Sequence, residues 1–133
     1  MLPCGCELKI VTESGGETSL FQSKGEFESA DGGERVRYHV EDDEGELFYS
    51  EDFFENCRRG KCALKARFCE GAESEIILGS SDLTGKIPVR TSRYRLEKDE
   101  TGRQIELCYE LLGSKNIQTF LLKIQIVFFS EEK

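Results

Sequence analysis

"RQIELCYELLGSKNIQTFLLKIQI", residues 103–126, carries the pattern that decides the fold. Ile105, Leu107, Tyr109 and Leu111 alternate with polar neighbours. After a short polar gap, Phe120, Leu122, Ile124 and Ile126 resume the alternation. Period-two patterning of this kind marks strands with one face buried and one in water, and the gap between them marks a hairpin. The two runs together predict a pair of antiparallel strands against an apolar interior.

Working outward, the same pattern recurs along the chain. Cys6, Leu8 and Ile10 alternate with Glu7 and Lys9, and Val36, Tyr38 and Val40 with Arg35, Arg37 and His39. Cys62, Leu64, Ala66 and Phe68 alternate with Lys61, Lys65 and Arg67, and Ile87 and Val89 flank Pro88. Turn signals separate the runs: Gly15-Gly16, Lys24-Gly25, Asp31-Gly32-Gly33, Glu41 to Gly45, Gly71, Gly79 and Asp99 to Gly102. The stretch "EDFFENCRRG", residues 51–60, reads equally as a bulged strand or a turn of helix. About ten strand-like segments at this spacing, with no sustained helical pattern, point to one all-β antiparallel domain over residues 1–133, a barrel or strongly curved sheet.

Composition sets the limits on function. The chain has 133 residues, 33% of them charged, and a formal net charge of −8. Residues 1–56 hold 4 Lys/Arg against 15 Asp/Glu, whereas residues 57–98 hold 10 against 5. Cross-strand pairing of opposite charges explains this asymmetry most simply, with a basic binding face as the alternative. Nucleic acid is not an expected partner of so acidic a chain. No apolar run approaches the roughly 20 residues that span a bilayer as a helix, and the opening residues lack a secretory pattern, so a cytoplasmic protein without a membrane partner is expected. The six cysteines are then expected reduced, with Cys62 on a core face. They show no C-x-x-C pair, and His39 is the single histidine, so no metal or other cofactor is expected.

The run "GKCALKARFCEGAESEIIL", then "GKIPVRT", then "IELCYELLGSKNIQTFLLKIQI" resembles, from about Gly60 to Ile126, the YwiB-like family of small bacterial proteins, also called DUF1934. The matching parts arrive in the family's order. They are a strand ending Phe68-x-x-Gly71, a Gly-led strand with Gly85, Ile87 and Val89, then Leu107-x-Tyr109-x-Leu111 and a short loop into the last strand. The resemblance implies a calycin-like, lipocalin-like β-barrel of about ten strands and a bacterial cytoplasmic setting, and it implies no chemistry.

Calycin barrels can hold a small molecule inside, so the expected function is a non-catalytic binding module with an interior pocket for a small apolar or acidic ligand. Two familiar signatures are missing. The lipocalin Gly-x-Trp cannot exist in a chain without Trp, and the last strand lacks the Arg-x-Tyr clamp of fatty-acid-binding proteins. If the parity of Ile87, Val89 and Thr91 continues, Arg93 and Arg95 point inward, where a guanidinium would need a carboxylate. A bulge after Thr91 would turn Tyr94 and Leu96 inward instead. It costs far less than an unpaired buried arginine. The candidate ligand residues are thus Tyr38, Thr91, Arg93, Arg95 and Tyr109. The alternative function is structural or regulatory, through the basic 57–98 region or the outward Leu121, Val127 and Phe129 of the last strand, which could also join a homodimer.

No enzyme is expected. There is no Gly-x-Ser-x-Gly elbow, His39 falls on the outward parity, and Cys57 beside Arg58 and Arg59 has no base nearby in sequence. The acidic run Glu41 to Glu46 lacks calcium-loop spacing and reads as a solvated turn.

Overall fold

The computed structural model describes residues 4–80, 84–113 and 117–129. Ten strands follow one another: β1 (Cys4–Ser14), β2 (Glu17–Ala30), β3 (Gly33–Val40), β4 (Asp43–Tyr49), β5 (Phe54–Arg59), β6 (Ala63–Phe68), β7 (Glu73–Gly79), β8 (Thr84–Lys98), β9 (Gly102–Leu111) and β10 (Gln118–Phe128). Each pairs antiparallel with its neighbours in sequence, and β1 pairs with β10 to close the barrel. Closure pairs every strand on both sides and leaves no edge to recruit another chain.

The alternation read from residues 103–126 is the alternation of the wall. Ile105, Leu107, Ile124 and Ile126 are at most 2% exposed, and they meet Leu8, Val36, Leu47 and Val89 in one core cluster. Ring contacts continue this core along the barrel axis. Tyr49 lies 6.4 Å from Phe54, Phe54 6.3 Å from Phe68, Phe68 4.8 Å from Tyr109, and Tyr109 5.3 Å from Phe120. That series runs from the β4–β5 connection to the β9–β10 hairpin, one end of the barrel to the other. Aromatic pairs in this distance range add to the burial of their faces.

Three sequence readings change, and one left open is resolved. Lys24-Gly25 is not a turn, because β2 continues through it to Ala30. The turn in the acidic run is confined to Glu41, with φ of 57°, and Asp42; Asp43 already belongs to β4 and is 4% exposed. Residues 54–59 of the ambiguous stretch are strand. Cys62 lies outside β6 and is exposed, since the strand begins at Ala63 and only Leu64, Ala66 and Phe68 keep the inward parity. Its backbone N–H is taken up in the hairpin by Asp43 Oδ2 at 3.4 Å.

The register of β8 against β9 slips between Thr91 and Arg93: Thr91 stands opposite Tyr109 and Arg93 opposite Cys108, with Ser92 as the extra residue. The segment before β7 locks onto this bulge. Gly71 donates to the Thr91 carbonyl at 2.8 Å, Thr91 donates to the Ala72 carbonyl at 3.1 Å, and the Tyr94 N–H donates to Glu70 Oε1 at 3.0 Å. Backbone groups that a bulge leaves unpaired in the ladder are thereby satisfied from the neighbouring connection.

Candidate functional site

The five residues singled out from sequence do not form one pocket. Thr91 is fully buried and stands opposite Tyr109 in the wall, and its Oγ1 has no hydrogen-bond partner among the described residues. Tyr109 is half-buried between the rings of Phe68 and Phe120, and burial pushes its hydroxyl up to about 12. Tyr38 lies on β3, packs against Phe21, and donates from its hydroxyl to Asn56 Oδ1 at 3.1 Å; burial raises it to about 12 as well. Both tyrosines therefore stay protonated at neutral pH, as packed rings with a polar tip do.

Arg93 and Arg95 require a correction. The bulge sends Tyr94 inward, 9% exposed, and turns both arginines to the outer surface. Arg93 Nε lies 3.4 Å from Glu106 on the next strand, so a partner is found in water and not in the lumen.

The inward guanidinium belongs instead to Arg103. It forms a two-pronged pair with Glu34, Nε to Oε1 at 2.8 Å and Nη2 to Oε2 at 2.9 Å, across the end of the barrel where β1 begins and β10 finishes. Its carbon lies 5.3 Å from the Phe27 ring centroid and 5.1 Å from that of Phe128, and Nη1 donates to the Asp99 and Gly102 carbonyls. Burial alone would push the Glu34 carboxyl up. Donation from Arg103 and the charges of Arg103 and Lys98 overcome it and hold the group below the usual carboxylate range. Nε, Nη1 and Nη2 of the fork all donate within the chain, so the pair closes on itself across this end of the lumen, and Glu34 also borders a concavity of about 390 Å³ with Tyr49, Ser50 and Lys98.

The other end, formed by the five hairpins, carries a second inward pair. Asp43 accepts from the backbone N–H of Lys61 at 2.9 Å and from Arg58 Nε at 2.9 Å. The Lys61 N–H is the main cause of its lowered pKa, with Arg58 and Cys62 adding to it against the cost of burial. Around it Ile10, Phe21, Val40, Leu64, Ile87, Leu111 and Leu122 pack on the core only in part.

The outer wall offers more. A concavity of about 960 Å³ lies over β2 to β5. Gly25, Tyr38 and Gly45 stand in one cross-strand row, and the Tyr38 ring lies directly on Gly45, where a Cβ would collide with it. Gly25, Tyr38 and Gly45 are among the residues that line the depression. Arg35 and Arg37 each bridge Glu28 and Glu46 at 3.2–3.6 Å on its floor. Lys24, His39 and Arg59 stand along its sides, and Phe129, 46% exposed, forms an apolar wall over Gly5.

Several ion pairs cross strands on this outer wall, but most join residues within one half of the chain, so they do not account for the asymmetry between residues 1–56 and 57–98. Besides the Arg35 and Arg37 lattice, Arg67 meets Glu55 at 2.9 Å and Arg90 meets Glu73 at 3.7 Å. Lys65 on β6, Ile77 on β7 and Lys86 on β8 are direct register partners, all exposed, and neither lysine has an ion-pair partner among the described residues. The sequence showed Lys65 and Lys86 only as members of a basic region; which of its cations lack a partner depends on register, which the sequence leaves open.

Among the described residues no three His, Cys, Asp or Glu side chains gather closely enough to hold a metal ion, and the cysteines are free thiols. Cys6, fully buried, has its thiol pushed up to about 11, chiefly by burial.

Comparison with protein-family models gives no match, and comparison with curated proteins gives none either. Among solved structures, the crystal structure of the ywiB protein from Bacillus subtilis is similar, with a TM-score of 0.75 and 18% sequence identity. The alignment covers 96% of this chain and 92% of that one. At this identity the likeness shows a shared fold, the closed antiparallel barrel of ten strands, and nothing of function.

Proposed function

We propose that this barrel is a non-catalytic binding module that works from its outer wall and not from its lumen. The observation that supports this most directly is the run of ring contacts from Tyr49 to Phe120, which crosses the interior from β6 to β9 and fills it with packed side chains. Small-molecule sites are concave and largely preformed. Here the charged 960 Å³ depression over β2 to β5 is outside. The inward candidates Tyr38 and Tyr109 are engaged by neighbours, and the inward arginine is neutralised by Glu34.

Native mass spectrometry of the purified chain tests the reading. The expected spectrum shows the bare polypeptide mass, and an apolar fluorescent dye gains no stoichiometric emission on mixing. A small molecule retained at one per chain, lost on Tyr109→Trp substitution inside the barrel, would return the function to the lumen.

A further inference from the structure

The concavity of about 390 Å³ beside the Glu34–Arg103 pair gathers Glu34, Tyr49, Ser50, Glu51, Asp52 and Lys98. Three carboxylates and one ammonium share it, and Arg103 is already committed to Glu34. Glu51 and Asp52 are exposed on a loop that the chain holds in place. The Ser50 N–H donates to the Phe53 carbonyl at 3.0 Å, the Asp52 N–H to Ser50 Oγ at 3.1 Å, and the Tyr94 hydroxyl to the Ser50 carbonyl at 2.6 Å. Tyr49 is fully buried, and its hydroxyl has no hydrogen-bond partner among the described residues. The Glu34 carboxylate is near enough to keep that hydroxyl protonated but is not placed to accept from it. A buried hydroxyl so placed costs free energy unless something beyond the chain completes it. Lys98 shows what the place attracts. Its Nζ stands 3.9 Å from Glu34 Oε2, drawn toward the carboxylate but too far for a hydrogen bond, with the side chain 44% exposed.

We propose that this concavity is a binding site for a small organic cation with two primary ammonium groups, an aliphatic diamine. A carboxylate offers about four lone-pair sites, and the Arg103 fork takes two of those on Glu34, which leaves acceptor capacity for an ammonium. The same ammonium donates to the Tyr49 oxygen, since a hydroxyl accepts as well as donates. The second ammonium is held by Glu51 and Asp52. A metal ion does not fit, because among the described residues no three acidic side chains gather closely enough to hold one. Carboxylates spread in this way suit a charge at either end of a short chain. The net charge of −8 draws a cation toward the protein. The acidic turn at Glu41 and Asp42 shares that charge but has no buried hydroxyl left unpartnered among the described residues. The concavity shares no lining residue with the depression over β2 to β5, so the proposal stands apart from what that depression binds.

Titration of the full chain with 1,4-diaminobutane at neutral pH, followed through backbone amide NMR shifts, tests the proposal. Saturable one-to-one binding is expected, with shifts centred on Glu34, Ser50 to Asp52 and Lys98, and it should weaken as salt rises. Butylamine, with a single ammonium, should bind several-fold more weakly. E51Q/D52N, at two exposed positions, should lower affinity roughly tenfold, the loss of two surface attractions. Tyr49→Phe should lower it several-fold. Lys98→Met should raise it several-fold, because the chain's own competing ammonium is gone. E41Q/D42N, at the opposite end of the barrel, should leave binding unchanged. Shifts that fail to saturate, or that fall equally on residues 41–46, would overturn the proposal. So would binding that survives E51Q/D52N, a Lys98→Met chain that binds more weakly, or magnesium ions that produce the same shifts at lower concentration than the diamine.

Discussion

Both ends of this barrel hold an inward ion pair, and the two pairs do different work. Glu34 and Arg103 lie 69 residues apart in sequence and meet across the lumen, with the guanidinium between Phe27 and Phe128. Asp43 and Arg58 sit on adjacent strands, and the same carboxylate gathers the N–H groups of the next hairpin. The first joins distant strands through the interior. The second fastens one turn to its neighbour, with Arg58 still 28% exposed. A buried charge left alone is costly, whereas one that can reach water is not. The sealed end should therefore be the more fragile to truncation.

Removing Arg103 is the most severe way to test that contrast. Arg103→Ala leaves Glu34 without its fork and strips cover from two phenyl rings, and it should cost about 3–5 kcal/mol in urea unfolding. A loss below about 1 kcal/mol would mean that water enters this end and that the seal does not exist. Acid sharpens the same point. Because Glu34 is held below its ordinary value, its contribution is present above the unfolded carboxyl pKa, about 4.3, and disappears as pH falls through the folded one. The stability gap between the native chain and Glu34→Gln should be flat from neutral pH down to about 5, then close on further acidification. A gap that widens with acid would reverse the sign and refute the pairing.

Asp43→Ala should destabilise less than Arg103→Ala, and locally: amide exchange should quicken at Lys61 and Cys62 while the Ile105 and Leu107 amides stay protected. Equal loss at both places would erase the difference between the ends. The smallest effect belongs to the outward arginines. R93A/R95A should change stability by no more than about 0.5 kcal/mol, since both side chains lie in solvent. A larger loss would place them inside after all.

Much of this was legible in the sequence, and the same rule that revealed it reached further than hydrophobicity. Parity set Ile105, Leu107, Ile124 and Ile126 inward, and the wall has them there. Extended two residues back, the parity that buries Ile105 also buries Arg103, and the parity of Val36 and Tyr38 includes Glu34. Asp43 shares parity with Leu47 and Tyr49 in the same way. Charged residues at strand ends look like turn residues, so their place in the inward series is easily discounted. The slip at Ser92 falls after Thr91, where the energy comparison placed it, and the β6–β7 connection binds it there. The depression over β2 to β5 lay beyond such reading, because it gathers residues of four strands that only register brings together.

The pairing of β1 with β10 has a consequence for biosynthesis. A nascent chain emerging from the ribosome can assemble β1 through β9 hairpin by hairpin, yet the seam stays open until residues 118–128 have cleared the exit tunnel. Until then β1 and β9 each present a row of unsatisfied amides and carbonyls, so the growing polypeptide is most vulnerable to misassociation while that seam is open.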